Sequence, residues 1–244
     1  MMSSYVTLAR YYDSLTENAD YKVRSDYISN FFSRYGSGEK TLLDLACGSG
    51  SLSQHLAQKG YEIIGIDLSE DMLVQANSKN IKNAIFAKGD MKDFELPYNV
   101  NYCVSSLDSI NHLKDIDEVE SCFKCVYSAL NENGIFVFDV NTLYKNEVIL
   151  GNNTFVYDEE DYFLSWDNVY IGDGVVSIFL DFFIYNGKSY DRYSENFEEK
   201  AYETDEISNL LNNTGFEIIG IYNELTEEEP EDKSERIFFV CKRK

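Results

Sequence analysis

Over its first 140 residues the chain alternates short apolar runs with stretches of helical apolar spacing. Thr41–Ala46 is a compact apolar run, as expected of a strand buried on both faces of a parallel sheet. Leu52, Leu56 and Ala57 then recur at helical spacing to about Lys59, where Gly60 is placed as a C-cap glycine. A second strand, Tyr61–Asp67, leads into a helix with Ser69 as its N-cap. Glu70 and Asp71 sit in its first turn, where the dipole favours acids, and Met72, Leu73 and Ala76 form its buried stripe. Further strands read at Ala84–Ala87, Asn101–Leu107 and Ile135–Val140, with a helix from about Ile116 to Leu130 and a turn at Asn131–Gly134. Ahead of the first strand, Tyr27, Ile28, Phe31 and Phe32 mark a helix over Asp26–Arg34. Strand alternating with helix predicts a parallel sheet covered on both faces.

The pattern changes at about residue 151. Short strands are predicted at Thr154–Tyr157, Phe163–Ile171, Val175–Tyr185 and Tyr190–Phe197, with Gly172-Asp173-Gly174 and Asn186-Gly187 as hairpin signals. Thr204 then caps a helix with Ile207, Leu210 and Leu211 on one face and Gly215 at its end. Strands Phe216–Tyr222 and Arg236–Cys241 complete the sheet, and the acidic turn between them, Glu227–Asp232, is solvated. The domain reading is therefore 1–150 with 198–244 as the main domain, and 151–197 as an inserted antiparallel β lid.

Candidate chemistry begins where the first strand ends. Gly48 and Gly50 permit a tight turn and let a ligand approach bare backbone at a helix N-terminus, whose free N–H groups and positive dipole end face it. Asp44 lies inside the strand before the glycines, and Asp67 ends the next strand, where a carboxylate can accept both hydroxyls of a ribose. Asp67, Asp90 and Asp108 all fall at predicted carboxyl ends of strands, where ligands of open α/β sheets bind.

These residues carry a resemblance. Asp44-Leu-Ala-Cys-Gly-Ser-Gly50 resembles the first motif of the class I S-adenosylmethionine-dependent methyltransferases. Gly65-Ile-Asp-Leu-Ser-Glu-Asp-Met-Leu73 resembles their second motif, and Lys88-Gly-Asp-Met91 the third, adenine-contacting one. The likeness spans roughly residues 40–140, with Ala46 where the family's first loop glycine usually stands. It is a small bacterial type with an antiparallel insertion after the fifth strand. The fold implied is α/β: a Rossmann-like, seven-stranded, mostly parallel sheet with helices on both faces, plus a small antiparallel β lid.

The resemblance also implies the cofactor, S-adenosyl-L-methionine, and its site. Ala46, Gly48 and Gly50 would approach its methionine and ribose portion, Asp67 the ribose diol, and Gly89 and Asp90 the adenine. Leu68, Met72 and Met91 would serve as apolar walls. Asp44 would orient the glycine loop or reach the cofactor ammonium through water. Tyr11–Leu15 resembles a segment that folds over the methionine end of the cofactor, so Tyr12 and Tyr21 join the set, and Arg24 is a candidate partner for the cofactor carboxylate. Leu107, after the fourth strand, would face the methyl group.

No catalytic residue is assigned, because methyl transfer from a sulfonium depends mainly on positioning. His112, one of two histidines, is a candidate base. Trp166 is a candidate pocket residue in an aromatic-rich insertion that reads as a water-excluding lid. Relatives of this type often carry a His-Arg-like pair before the late helix. Here the segment is Phe197-Glu-Glu-Lys-Ala-Tyr202, and surface solvation accounts for Glu198 and Glu199 as well as a basic acceptor would. Two other readings use the same loop: a nicotinamide-dependent oxidoreductase, whose Gly-x-Gly-x-x-Gly fingerprint is not met, and a non-catalytic cofactor-binding module.

Composition narrows the partners. With 43 acidic against 21 basic residues the net charge is −22, and no basic patch offsets it, so nucleic acid and anionic membranes are unfavourable partners and a small-molecule acceptor is expected. No apolar run is long enough to span a membrane, and the first residues lack the charged-then-apolar pattern of a signal peptide. The five scattered cysteines point to reduced thiols in the cytoplasm, and Cys122-x-x-Cys125 reads as helix packing rather than a metal site. No metal is expected, and the chain is expected to be a monomer or weak homodimer.

Overall fold

The structure, a computed structural model, describes residues 6–244. Tyr5, one of the N-terminal tyrosines, lies outside the described residues. Two helices, α1 (Val6–Leu15) and α2 (Tyr21–Tyr35), precede the alternating region. That region runs β1 (Thr41–Leu45), α3 (Ser51–Gln58), β2 (Glu62–Asp67), α4 (Glu70–Ser78), β3 (Ala84–Lys88), β4 (Val100–Ser105), α5 (Ile116–Ala129) and β5 (Leu130–Asn141). A π-helical turn, Lys145–Leu150, then leads to four antiparallel strands: β6 (Thr154–Asp158), β7 (Tyr162–Gly172), β8 (Val175–Tyr185) and β9 (Tyr190–Lys200). The chain closes with α6 (Thr204–Thr214), β10 (Phe216–Asn223) and β11 (Arg236–Arg243).

The main sheet has seven strands in the order β10-β11-β5-β4-β1-β2-β3, with β11 antiparallel to both of its neighbours. The side chains of β1 alternate between two cores, which explains why the strand is apolar but for Thr41 and Asp44. Leu43 and Leu45 enter a core with Phe123, Phe138 and Phe239, while Leu42 enters the opposite core with Phe31, Phe32 and Phe238. Strand order reverses between β1 and β4, which opens a crevice at their carboxyl ends. The second sheet, β6-β7-β8-β9, packs its inner face (Leu164, Ile178 and Phe182) on Leu8 and Leu15 of α1 and on Met72 of α4.

Several boundaries differ from expectation for local reasons. Ser69 caps α4 as predicted, its hydroxyl accepting from Met72 N at 3.3 Å. Helix α6 is capped instead by Glu203, in a reciprocal capping box with Glu206, so Thr204 is its first turn. The Asn131–Gly134 turn is absorbed into β5, with Asn133 at φ 63° and an irregular register against β4. Strand β4 stops at Ser105 and β9 continues to Lys200. Both shifts fall at the cleft described next.

Candidate active site

Ala46 to Gly50 turn the chain from β1 into α3 through three residues with positive φ: Ala46 (57°), Gly48 (52°) and Gly50 (74°). For Ala46 this conformation costs about 1–2 kcal/mol, the penalty of a Cβ in the left-handed region. The two glycines have different roles. A Cβ on Gly48 would stand 3.8 Å from Tyr12 Cε1, so its bare side faces the cleft under α1. A Cβ on Gly50 would press on Ala76 Cβ at 3.1 Å and Phe86 Cζ at 3.2 Å, so Gly50 serves the packing of α3 on α4 and β3.

Tyr12, Tyr21, Asp44, Ala46, Gly48 and Leu107 line one concavity at the β1–β4 crevice, as a set drawn from four separate segments. Asp67 borders it. Its Oδ2 accepts from Gly48 N at 2.7 Å and its Oδ1 from Ser69 N at 2.8 Å, so the carboxylate ties the glycine loop to the end of β2. Burial raises the Asp67 carboxyl, and these backbone donors pull against that. Asp44 is 2% exposed and accepts from the Ser53 hydroxyl, and burial pushes it up to about 7. Burial likewise raises the Tyr12 phenol and lifts Tyr21 to about 12, where its hydroxyl donates to Thr16 Oγ1 at 2.9 Å.

The third motif lies further out. Gly89 packs where a Cβ would meet Ile66 Cγ2 at 2.6 Å, and Asp90 accepts from Lys92 N at 3.0 Å, both at the carboxyl end of β3, two strands from β1. Met91 leans on the main core, and Leu68 is 64% exposed beside them. Met72 is buried in the cluster beneath the antiparallel sheet. Trp166 also belongs to that cluster: its Nε1 donates to Asn168 Oδ1 at 2.8 Å and its ring stacks on Tyr157.

Sequence reasoning missed the charge network beneath the cleft. Asp139, on β5 and fully buried, accepts from Arg24 Nη1 at 3.1 Å, from Arg236 Nη1, from Ser106 Oγ at 2.5 Å, and from Leu107 N and Asp108 N at 3.0 Å each. Burial alone would raise this carboxyl, but Arg236 and Arg24 outweigh it and hold it at about 2. Arg24 is therefore committed to Asp139 and, at 2.7 Å, to Glu224; it does not stand ready for a cofactor carboxylate. The network also explains why β4 ends early. Leu107 and Asp108 both adopt positive φ (59° and 57°), a strained pair held by the two backbone hydrogen bonds to Asp139. A charged residue inside the apolar run Ile135–Val140 was the available signal.

A second group, of residues that the sequence offers only one by one, faces the antiparallel sheet. Asp108, His112 and Glu199 present atoms within 4.8 Å of one another. His112 keeps open surface yet is hemmed in enough for burial to lower its pKa, against the pull of Asp108 and Asp67, and its ring lies 5.4 Å from that of Phe197. Glu198 is exposed as expected, but Glu199 is 4% exposed: solvation does not account for it. Its Oε2 accepts from Asn141 Nδ2 at 3.1 Å, and burial, then Asp108, push it up to about 8. The parity of β9 decides this, since Glu199 pairs with inward-facing Val176.

These buried acids set a pH dependence. Asp44 and Glu199 bind protons more tightly folded than unfolded, so their penalty is full above about 8 and is relieved as pH falls toward 4. Asp139 acts oppositely, losing its contribution only as pH falls below about 4 toward 2. The thermal midpoint should therefore peak on the acid side of neutrality, near pH 5, roughly 5 °C or more above its value at pH 8. A midpoint scan from pH 4 to 9 that rises monotonically would contradict this balance.

Comparison with known proteins places the geometry. The Methyltransferase domain family matches residues 42–134, the segment from β1 through β5's first turn. A Bacillus subtilis (strain 168) protein named as a methyltransferase, YqeM, is 34% identical over 98% of this chain and 97% of its own. The crystal structure of an S-adenosylmethionine-dependent methyltransferase from Clostridium acetobutylicum ATCC 824 is 32% identical, superposes with a TM-score of 0.88 and covers 99% of both chains. The dTDP-3-amino-3,4,6-trideoxy-alpha-D-glucopyranose N,N-dimethyltransferase of Streptomyces venezuelae is 30% identical over 51% of this chain and 52% of its own. No described helix is long and apolar enough to cross a membrane. The strand order, the glycine turn with its two carboxylates and these full-length similarities agree against the nicotinamide reading: the chain belongs to the class I S-adenosylmethionine-dependent methyltransferases.

Proposed function

We propose that the chain methylates a nucleophilic nitrogen or oxygen of a small molecule enclosed between the glycine-loop cleft and the antiparallel sheet. One observation carries the reading: Leu107, which lines the cleft with Tyr12 and Gly48, is followed directly by Asp108, which meets His112 and, from the antiparallel sheet, Glu199. S-adenosylmethionine supplies an electrophilic methyl carbon, whose bond to sulfur breaks as the new bond forms, the electron pair leaving on a neutral thioether. Gly48 and the start of α3 suit the methionine and ribose portion, Asp67 the ribose hydroxyls, and Asp90, with Leu68 and Met91, the adenine. The fit rests on the bare face of Gly48, which a Cβ would fill, and on the position of Asp67 beside it. Tyr12 and Tyr21, kept neutral by burial, close the cleft from above and exclude water.

The antiparallel sheet of residues 151–197 acts as the acceptor lid on a main domain of 1–150 and 198–244. An amino-sugar N-methyltransferase among the relatives supports a small acceptor and, of the two nucleophiles, nitrogen. The net charge of −22 disfavours nucleic acid, and five free cysteines suit the cytoplasm. Binding to the folded state alone must stabilise it, so S-adenosylmethionine at a hundred times its Kd should add about 2.7 kcal/mol and raise the thermal midpoint by several degrees, while NAD leaves it unchanged. A radiolabelled methyl-transfer screen over small amines, phenols and carboxylic acids, with RNA and protein fractions alongside, identifies the acceptor. Labelling confined to the macromolecular fractions would overturn the small-molecule reading.

A further inference from the structure

Resting on that reading, we infer that Glu199, with Asp108 and Asn141, forms a receptor for a protonated amine, so that the acceptor enters as an ammonium ion and gives its proton to Glu199. Glu199 lies on the inner face of β9, 4% exposed, within 4.8 Å of Asp108 and His112. Asn141, 2% exposed, holds Glu199 Oε2 through its Nδ2, while its Oδ1 has no hydrogen-bond partner. Buried acceptor oxygens without donors are rare, and here one sits beside a buried carboxylate at the edge of the methyl-donor cleft. An ammonium group offers three N–H donors and satisfies both.

The charge balance points the same way. Asp108, Asp139 and Glu224 match Arg24, Arg236 and Lys145, so the one negative charge left over is that of Glu199 when it ionises, which burial delays to about pH 8 and an entering cation favours. A single positive charge matches it, whereas a divalent ion would overcompensate beside Arg236, which already holds Asp108 Oδ1 at 2.6 Å. The proton step balances simply. An N–H bond breaks, an O–H bond forms on the Glu199 carboxylate, and the electron pair stays on nitrogen, which becomes the neutral nucleophile that methylation requires. Phe197 and His112, with rings 5.4 Å apart, form the adjoining wall and present aromatic faces to the cation.

The test uses the two histidines as reporters, with His112 at the site and His55 on α3 as the internal control. Protein labelled at histidine and saturated with the demethylated product is titrated with cyclohexylamine and with cyclohexanol, which share a shape and differ in charge. The His112 imidazole resonances should shift saturably with the amine at an affinity at least tenfold tighter than with the alcohol, and His55 should not move. Glu199→Gln, which keeps the shape and the hydrogen bond to Asn141, should erase that preference, while Glu198→Gln on the exposed face should retain it. Both variants should hold wild-type affinity for S-adenosylmethionine, which reports their folding. An amine that binds no better than the alcohol, or a preference that survives in Glu199→Gln, overturns the receptor. Failure of the wild type to bind S-adenosylmethionine would instead remove the methyl-transfer reading beneath it.

Discussion

Replacing Asp139 by Asn should lower the thermal midpoint by roughly 10 °C, a loss of about 3–5 kcal/mol. The side chain is fully buried and accepts from two guanidinium groups, one hydroxyl and two backbone N–H groups. An amide supplies one acceptor oxygen in place of two and turns its NH₂ toward donors, so some of these partners lose their acceptor. The larger effect is charge: Arg24 and Arg236, 2% and 6% exposed, would be left with only Glu224 and Asp108 between them. Breaking a buried pair by removing one partner costs more than the pair contributes, because the remaining charge stays desolvated. That supplies an internal check. If unpaired charge dominates, Arg24→Met combined with Asp139→Asn should cost clearly less than the two single changes added together. Release of Leu107 and Asp108 from their left-handed conformation should also weaken S-adenosylmethionine binding, since Leu107 lines the cleft. A midpoint within about 3 °C of wild type would show that the network is not structural.

How much of this was legible in the chain depends on what encodes each part. The alternating core was readable because β1 and the Ile135–Val140 stretch of β5 bury both faces and so are mostly apolar, while the helices between them carry one-sided stripes. The antiparallel strands were readable from their hairpin glycines. The cleft residues near β1 and β2 were found because a glycine turn and a terminal carboxylate are local patterns. What escaped was long-range. Asp139 meets Arg24 and Arg236 across separations of 115 and 97 residues, and no local periodicity carries that pairing. Glu198 and Glu199 are adjacent acids with identical composition signals, and only the register of β9 against β8 sends one to solvent and the other inward. The Leu107 backbone was misread as strand because its conformation is imposed by Asp139 from a neighbouring strand rather than by its own propensity.

Asp67→Ala should weaken S-adenosylmethionine binding by about a hundredfold, roughly 2.7 kcal/mol, with little change in the stability of the unliganded protein. Two contributions of Asp67 oppose each other in the free protein. Asp67 ties Gly48 N and Ser69 N together at 2.7 and 2.8 Å, so its loss frees two backbone donors at the cleft. Burial already raises its carboxyl, so its removal also relieves a desolvated charge, and the two effects offset in the free protein. No such offset exists for a ligand. Charge-assisted hydrogen bonds from two ribose hydroxyls are among the stronger neutral-to-ion contacts, and the glycine loop would no longer be held in the shape that receives them. An ordinary turn-stabilising aspartate predicts the reverse pattern: a lower midpoint and an affinity that falls only in proportion. The raised pKa adds a second signature, because wild-type affinity should decline as pH drops through that value, at a higher pH than for an ordinary carboxylate, and Asp67→Asn should remove the decline. Titration calorimetry of wild type, Asp67→Ala and Asp67→Asn between pH 5 and 8 reads both effects at once, and unchanged affinity in the alanine variant would take the ribose away from Asp67.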